Sequence, residues 1–468
     1  MRFGSWNMAA ESKFNRAGTA LATWSYVVIK FRSEPGLDLA AVDASVQHLG
    51  TMLAKVGVQA SAPRNPRYIE MDSPDDRKLE DVIQLAASNN LQLLFIVLPE
   101  SNTPLYDMIK TCGDVKYGVH TICAVGRKLI AQKGQEQYLC NVALKFNLKL
   151  GGNNQMLDNS RLGIINEDAT MIVGIDVTHP SPGSSSVAPS VAGMVASIDK
   201  HLGQWPAILR IQPEARQEMV ADLAMMLKTR LDLWKTKGRH PSLPANILVY
   251  RDGVSEGQYE QVLEKEVPLL RKACEGIYPP SDQKKGLPRF TVVVVGKRHH
   301  TRFYPTREAD ADRSANPRPG TVVDRGVTEA RSWDFFLQSH AALQGTARPA
   351  HYFVVLDEIF RHRRQPQQQQ QGGPAPPGQA APVADTLEEV TQSLCYMFGR
   401  ATKSVSICTP AYYADIVCER ARRYLSRVFD PHDSSATPSV AGSATGSAQR
   451  QDQEVEIHAR LKDSMFYI

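Results

Sequence analysis

An apolar run that ends on an acid sets the first limit on this fold. In MIVGIDVTHP, Met171–Gly174 are apolar or small and read as a buried strand. Asp176 follows two residues later. Burying an ionised carboxylate is costly unless it is paired or holds a metal. Alone, this stretch is better explained by an Asp that caps a turn or neutralises an arginine. The pattern recurs, however. ILVYRDG (Ile247–Gly253) is a second apolar strand, ending on Asp252. VSICTPAYYAD (Val405–Asp415) reads as a third strand, a turn and a helix start carrying Asp415. Three acids on separate strand ends, far apart in the chain, are the pattern of a carboxylate-held divalent metal site.

The remaining segments read as alternating strands and helices. Tyr26–Phe31 and Leu91–Leu98 are expected strands. Leu39–Lys55 and Lys78–Ala87 have helical apolar spacing, which suggests a small α/β sheet. In PESNTPLYDMIK, Thr103 is the expected N-cap and Pro104 suits the first helical position. Tyr106 and Lys110 then share one helix face, where an aromatic ring and an ammonium could take a base and its phosphate. An ordinary amphipathic helix with a solvated lysine fits the spacing as well. Lys145 and Lys149 repeat the four-residue spacing before Gly151, at a helix end where solvated lysines are common.

Beyond Asp176, Val191–Ile198 and Pro206–Ile211 are expected to continue the sheet as a meander. Pro213–Lys237 reads as one long amphipathic helix with Glu218 in its first turn, solvated and favoured by the helix dipole. Glu256–Ala273 is an expected helix, and Phe290–Gly296 a very apolar strand. That strand leads into KRHHTRFYPTR, which interleaves basic and aromatic residues as backbone contacts to nucleic acid do, or as a solvated charge run does. Tyr352–Leu356 is a further expected strand and Leu387–Phe398 a helix. The Gln/Pro/Gly-rich segment near 364–386 and the Ser/Ala/Gly-rich segment near 433–453 are expected to be disordered insertions.

The charge balance, 54 Lys+Arg against 49 Asp+Glu, is too mild to indicate a partner. Seven cysteines with no C-x-x-C pair suggest reduced thiols. No apolar run approaches a membrane span and the first residues lack a signal-peptide core, so a cytoplasmic or nuclear protein is expected.

Taken in order, GIDVTHP, YRDGVSEGQ, GKRHHTRFYP, RPAHYFVV and PAYYAD resemble the PIWI domain of Argonaute proteins, from about Met171 to Ile468. Upstream, LPESNTPLYDMIK and LKFNLKLGG are similar to the MID domain of that family. The resemblance implies an α/β chain: a Rossmann-like MID domain over 1–152, a linker over 153–170 and a ribonuclease-H-like PIWI domain over 171–468. The Gln-rich segment and the Asp at 415 suggest a fungal Argonaute of the quelling type. The family's N-terminal and PAZ domains have no counterpart, so one lobe of a larger protein is expected.

By motif, the resemblance assigns Asp176, Asp252 and Asp415 as ligands of two Mg²⁺ (or Mn²⁺) ions roughly 4 Å apart. It reverses the solvated reading of Glu218, which matches the family's fourth acid, docked when guide is bound. Tyr106 would stack on the first guide base, and Lys110, Thr121, His120, Lys145, Lys149 and Arg420 would hold the guide 5′-phosphate. Ile122 stands where many relatives carry Gln and cannot donate that hydrogen bond. The implied activity is cleavage of paired target RNA in small-RNA-guided silencing, with guide RNA, target RNA and silencing cofactor proteins as partners and no membrane. Two other classes stay open. One is a guide-holding scaffold that does not cut. The other is an integrase-like nuclease of the same fold, indifferent to a 5′-phosphate.

Overall fold

A computed structural model describes the chain except residues 1–3, 9–12, 35, 159–160, 168, 182–183, 185–187, 215, 285, 363–382 and 427–454. Most of the expected insertion near 364–386, and all of that near 433–453, lie outside the described residues. Residues 383–386 are part of a helix, Val383–Leu394.

The first sheet is four-stranded, in the order β2-β1-β3-β4, with every pair parallel. Its strands are β1 (Trp24–Phe31), β2 (Arg67–Met71), β3 (Leu93–Leu98) and β4 (His120–Val125). Parallel neighbours need crossovers, and here helices make them: α1 (Leu39–Lys55), α2 (Arg77–Ser88) and α3 (Thr103–Lys110). A fourth helix, α4 (Gln135–Lys149), follows β4. Period-two alternation splits β1 between two cores. Trp24, Tyr26 and Val28 pack with α1 and α4, while Val27, Ile29 and Phe31 pack with α2 and α3. The N-cap of α3 is Asn102, not Thr103; its side chain accepts from Leu105 N at 2.9 Å.

The second sheet has eight strands in the order β10-β11-β12-β9-β8-β5-β6-β7. They are β5 (Thr170–Thr178), β6 (Val191–Ala196), β7 (Ala207–Ile211), β8 (Asn246–Asp252), β9 (Arg289–Gly296), β10 (Thr321–Val323), β11 (Trp333–Gln338) and β12 (Ala350–Asp357). β5, β8 and β9 run parallel at its centre and the flanking pairs are antiparallel. Met171, Val173 and Ile175 join Ile247 and Val249 in a core with α5 (Leu223–Thr236) and α6 (Val267–Glu275). Ile172, Leu248 and Tyr250 point to the other face, which is covered by α7 (Val383–Leu394) and α8 (Thr409–Tyr424).

Alternation therefore aims Asp176 and Asp252 at α8. Ile175 pairs with Arg251 across β5 and β8, so the two acids stand at one level. α8 lies against β5 and β6 because glycines face it. A Cβ on Gly174 would come within 1.9 Å of Pro410 O, and one on Gly193 within 2.9 Å of Cys418 Sγ.

Several expectations need correction. Val405–Cys408 is buried but makes no strand, so Asp415 rides the second turn of α8 and not a strand end. The expected helix Pro213–Lys237 begins only at Leu223, and Glu218 sits in the irregular segment before it. The expected helix Glu256–Ala273 is broken by a π-helical turn at Val262–Glu266.

Candidate functional sites

Asp176 is buried, and Asp252 lies one strand away. Burial first, then the charges of Asp176 and Asp415, pushes the Asp252 carboxyl well above the ordinary range. Burial, then Asp176 and Glu419, raises Asp415 to about 7. Asp252 thus feels both other acids and Asp415 feels Asp176, which puts the three carboxylates in one region between the sheet and α8. Arg298 and Lys297, just past β9, pull Asp415 back down. Among the described residues no three His, Cys, Asp or Glu side chains are close enough to form a metal-ligating group.

Glu218 comes to the same place from its loop. A Cβ on Gly253 would lie 3.2 Å from Asp176 Oδ1 and 3.8 Å from Glu218 Oε1, so the two carboxylates flank that glycine. Gly253 has φ +88°, a left-handed backbone that glycine adopts without strain. Arg251 Nη2 donates to Glu218 Oε1 at 2.8 Å and to its backbone O at 2.7 Å. His179 Nε2 meets Glu218 Oε2 at 2.7 Å, and His179 Nδ1 meets Ser190 Oγ at 2.8 Å. Burial would raise the Glu218 carboxyl, but the hydrogen bond from His179 and the Arg251 charge outweigh it and hold it low. Glu266 closes the network, taking Arg251 Nε at 3.1 Å and Val220 N at 3.0 Å. His179 and Arg251 were missed by sequence reasoning, although each lies inside a motif that carries an acid, DVTHP and YRDG.

The second cluster joins the two sheets. Lys110 Nζ, buried, donates to Thr121 O and Oγ1, both at 2.8 Å. Lys149, also buried and not solvated, donates to Phe466 O at 2.6 Å. Arg420 on α8 reaches Asp114 Oδ2 at 2.6 Å, Tyr106 OH at 3.1 Å, and the carbonyls of Phe466 and Tyr467. Lys110 Nζ is 5.2 Å from the Tyr106 ring centre. Burial, then Arg400 and Lys110, lowers Lys145 to about 8. Burial, then Lys149, lowers the His120 imidazole to about 3, and His120 Nδ1 has no hydrogen-bond partner.

Of the seven residues expected around a guide 5′ end, Tyr106, Lys110, Thr121, Lys149 and Arg420 are joined by contacts, while His120 and Lys145 are reached by the charge of Lys110. The site lies at the amino end of β4, where His120 and Thr121 begin the strand. Three basic side chains, Arg420, Lys149 and Lys110, act on one buried carboxylate, Asp114, whose Oδ1 is unpartnered. A buried excess of positive charge is a standing acceptor for an anion. Asp114 gave no signal in the sequence, whereas the apolar end HARLKDSMFYI reads as a docked segment, and Phe466 and Tyr467 are buried.

A third feature connects to the acids. A cavity of about 520 Å³ is lined by Lys297, His340, Arg348 and Lys403 among others. Burial, then Lys297 and Lys403, pushes the His340 imidazole down to about 4. Lys297 is shared: it borders this cavity, feels Asp252 and Asp415, and donates to Ser406 Oγ.

A mixed sheet with acids at its crossing helix, beside a buried basic cluster, defines an α/β chain with two charged sites. Comparison with known proteins gives the family. The model of the Piwi domain matches residues 93–426, and this chain belongs to the Piwi-domain family of Argonautes. It is 35% identical to protein argonaute 5 of Arabidopsis thaliana over 488 residues, covering 100% of this chain and 44% of that protein. To protein argonaute MEL1 of Oryza sativa subsp. japonica it is 37% identical, covering 86% and 37%. The chain thus spans less than half the length of these relatives.

Among solved structures, the C-terminal lobe of a budding yeast Argonaute superposes with a TM-score of 0.80 at 27% identity, covering 99% of this chain and 89% of that one. Kluyveromyces polysporus Argonaute with a guide RNA gives 0.80 at 27%, covering 99% and 53%. The MID-PIWI domains of N. crassa QDE-2 give 0.67 at 30%, covering 97% and 100%. The expected fold class holds: an α/β MID–PIWI lobe whose Piwi domain is ribonuclease-H-like. No helix among the described residues is long and apolar enough to cross a membrane.

Proposed function

We propose that this chain holds the 5′-phosphate of a guide RNA in the Lys110–Lys149–Arg420 cluster and cleaves RNA paired to that guide. The observation that carries the reading is Asp252, pressed by the charges of Asp176 and Asp415, with Glu218 docked alongside. The relative solved with a guide RNA supports RNA as the ligand. The likeness to N. crassa QDE-2, with the Gln-rich segment and Asp415, supports a fungal quelling-type protein.

The donor set fits a hard divalent cation, since it offers only carboxylate oxygens that burial and mutual repulsion leave short of positive charge. Asp176, Asp252 and Asp415 are the residues that would hold Mg²⁺ or Mn²⁺. When bound, such ions polarise the scissile phosphate and lower the pKa of an attacking water. Glu218, kept ionised by Arg251 and His179, is placed to accept a hydrogen bond from that water. Lys297 and the cavity it borders offer cations to the phosphates of the RNA backbone leading to the acids. Tyr106 offers a face for the first guide base, and guide–target pairing supplies sequence specificity.

The test is cleavage of a complementary RNA by the chain loaded with a 5′-phosphorylated guide. Asp176→Ala should abolish cleavage and spare guide binding; undiminished cutting refutes the nuclease. Affinity for 5′-phosphorylated against 5′-hydroxyl RNA, in wild type and Lys110→Ala, tests the pocket. Equal affinities would favour an integrase-like nuclease. A second reading, a guide-holding lobe that does not cut, is favoured by the acids not standing as a ready metal-ligating group. It predicts phosphate-selective binding without metal-dependent cleavage.

A further inference from the structure

The α2 face of the first sheet holds a cavity of about 210 Å³ that shares no residue with the sites above. Its floor is aliphatic, with Val27 of β1, Leu94 of β3, and Val82 and Leu85 of α2. Leu85 is 46% exposed and presents apolar surface at the cavity. Arg64 and Arg67, at the entry to β2, stand exposed at the rim. Neither guanidinium makes an ion pair or hydrogen bond among the described residues.

The nearby helix end cannot satisfy those arginines, because its carbonyls are taken. Leu85 O accepts from Asn89 N and Nδ2, Ala86 O from Leu91 N, and Ala87 O from Asn90 N and Arg460 Nη1. The rim therefore carries two uncompensated forks of donors above an apolar hollow. Its volume is below the roughly 300–1,000 Å³ of pockets that enclose a whole small ligand, and suits one apolar side chain. Guanidinium forks match carboxylates in paired hydrogen bonds. A nucleotide is a poor fit, because no lining residue is aromatic and a base would find no ring to stack on.

We propose that this cavity docks an acidic peptide segment of a partner protein. One apolar side chain enters between α2 and the sheet, and flanking carboxylates engage Arg64 and Arg67. The site is separate from the RNA pocket, so peptide and guide bind together.

The test uses the full chain and a short fluorescent peptide of Asp and Glu around one Leu, followed by anisotropy. Saturable binding is expected, weakened by added salt. It should fall by about tenfold or more in the Arg64→Ala/Arg67→Ala double variant, as for loss of two charge-assisted contacts. Leu85→Glu should weaken it comparably. Both arginines are exposed and unpaired, so the double variant keeps its fold, checked by unchanged binding of 5′-phosphorylated RNA. The proposal is overturned by any of four results: no saturable binding; equal binding of a peptide with Lys for its acids or Ala for its Leu; wild-type affinity in the double variant; or a mononucleotide that occupies the site in an Arg64-dependent way where the peptide does not.

Discussion

Arg251 Nη2 stands 2.8 Å from Glu218 Oε1, and the guanidinium that carries it has no solvent exposure. The same group reaches Glu266 Oε2 at 3.1 Å. One buried cation thus fixes two carboxylates, one on the loop before α5 and one on the π-helical turn before α6. Its own proton is held firmly: burial opposes the charge, but Glu266 and Glu218 outweigh it and raise its pKa. Removing it leaves both acids buried without their shared counter-ion, Glu218 keeping only His179 and Glu266 only Val220 N. Arg251→Met is expected to destabilise the chain by about 3–5 kcal/mol, read as a lower midpoint in urea denaturation. A midpoint within experimental error of wild type would show that the two carboxylates find other partners.

Gly174 decides how close α8 can come. A methyl group there would lie 1.9 Å from Pro410 O, a backbone atom that cannot swing aside. Gly174→Ala is expected to cost roughly 1–3 kcal/mol, as overpacking does. Because Asp415 rides α8, the shift moves it relative to Asp176. The expected result is a folded variant with cleavage reduced more than guide binding. Equal losses in both would mean that α8 moves as one piece with the cation cluster.

Lys145 is expected to make phosphate binding sensitive to pH. Burial, then Arg400, brings its ammonium down to about 8. Above that pH the folded chain has released this proton while the unfolded chain still holds it, so this residue's effect on stability rises with pH up to the usual lysine range. Affinity moves the other way, since an uncharged amine no longer attracts the phosphate. The dissociation constant for 5′-phosphorylated RNA should climb as pH rises through about 8. Lys145→Arg, which stays charged, should flatten that climb. An identical profile in the variant removes Lys145 from the set that senses the phosphate.

The central strands were legible because they are apolar throughout, and α1 because its periodicity is complete. β2 was not, since RYIEM is a mostly exposed edge strand whose side chains carry no alternation of burial. Val405–Cys408 failed the other way: it is apolar because it is buried, but Tyr352 OH takes Cys408 N at 3.0 Å and no ladder forms. Met219 and Val220 extended an apparent helix that long-range bonds from Gln212, Arg251 and Glu266 prevent. The acids could be found because each sits in a local motif. Asp114 could not, because its meaning comes from Arg420, 306 residues away.

That pair sets the last prediction. Asp114 is fully buried and accepts from Arg420 Nη1 at 2.6 Å and from Tyr424 OH at 2.8 Å. Burial would raise its carboxyl, but Arg420, Lys149 and Lys110 together hold it down and ionised. It is a carboxylate held by those cations, and so an internal competitor of any phosphate that enters. Asp114→Asn keeps the shape and removes the charge. The free chain should lose stability, because Arg420 keeps a hydrogen-bond acceptor but loses its counter-ion. The phosphate should gain, because the field it meets is more positive by one unit. We therefore expect a lower denaturation midpoint together with a larger ratio of 5′-phosphorylated to 5′-hydroxyl RNA affinity. A ratio that falls instead would show that Asp114 acts by orienting Arg420, and that orientation outweighs charge in this pocket.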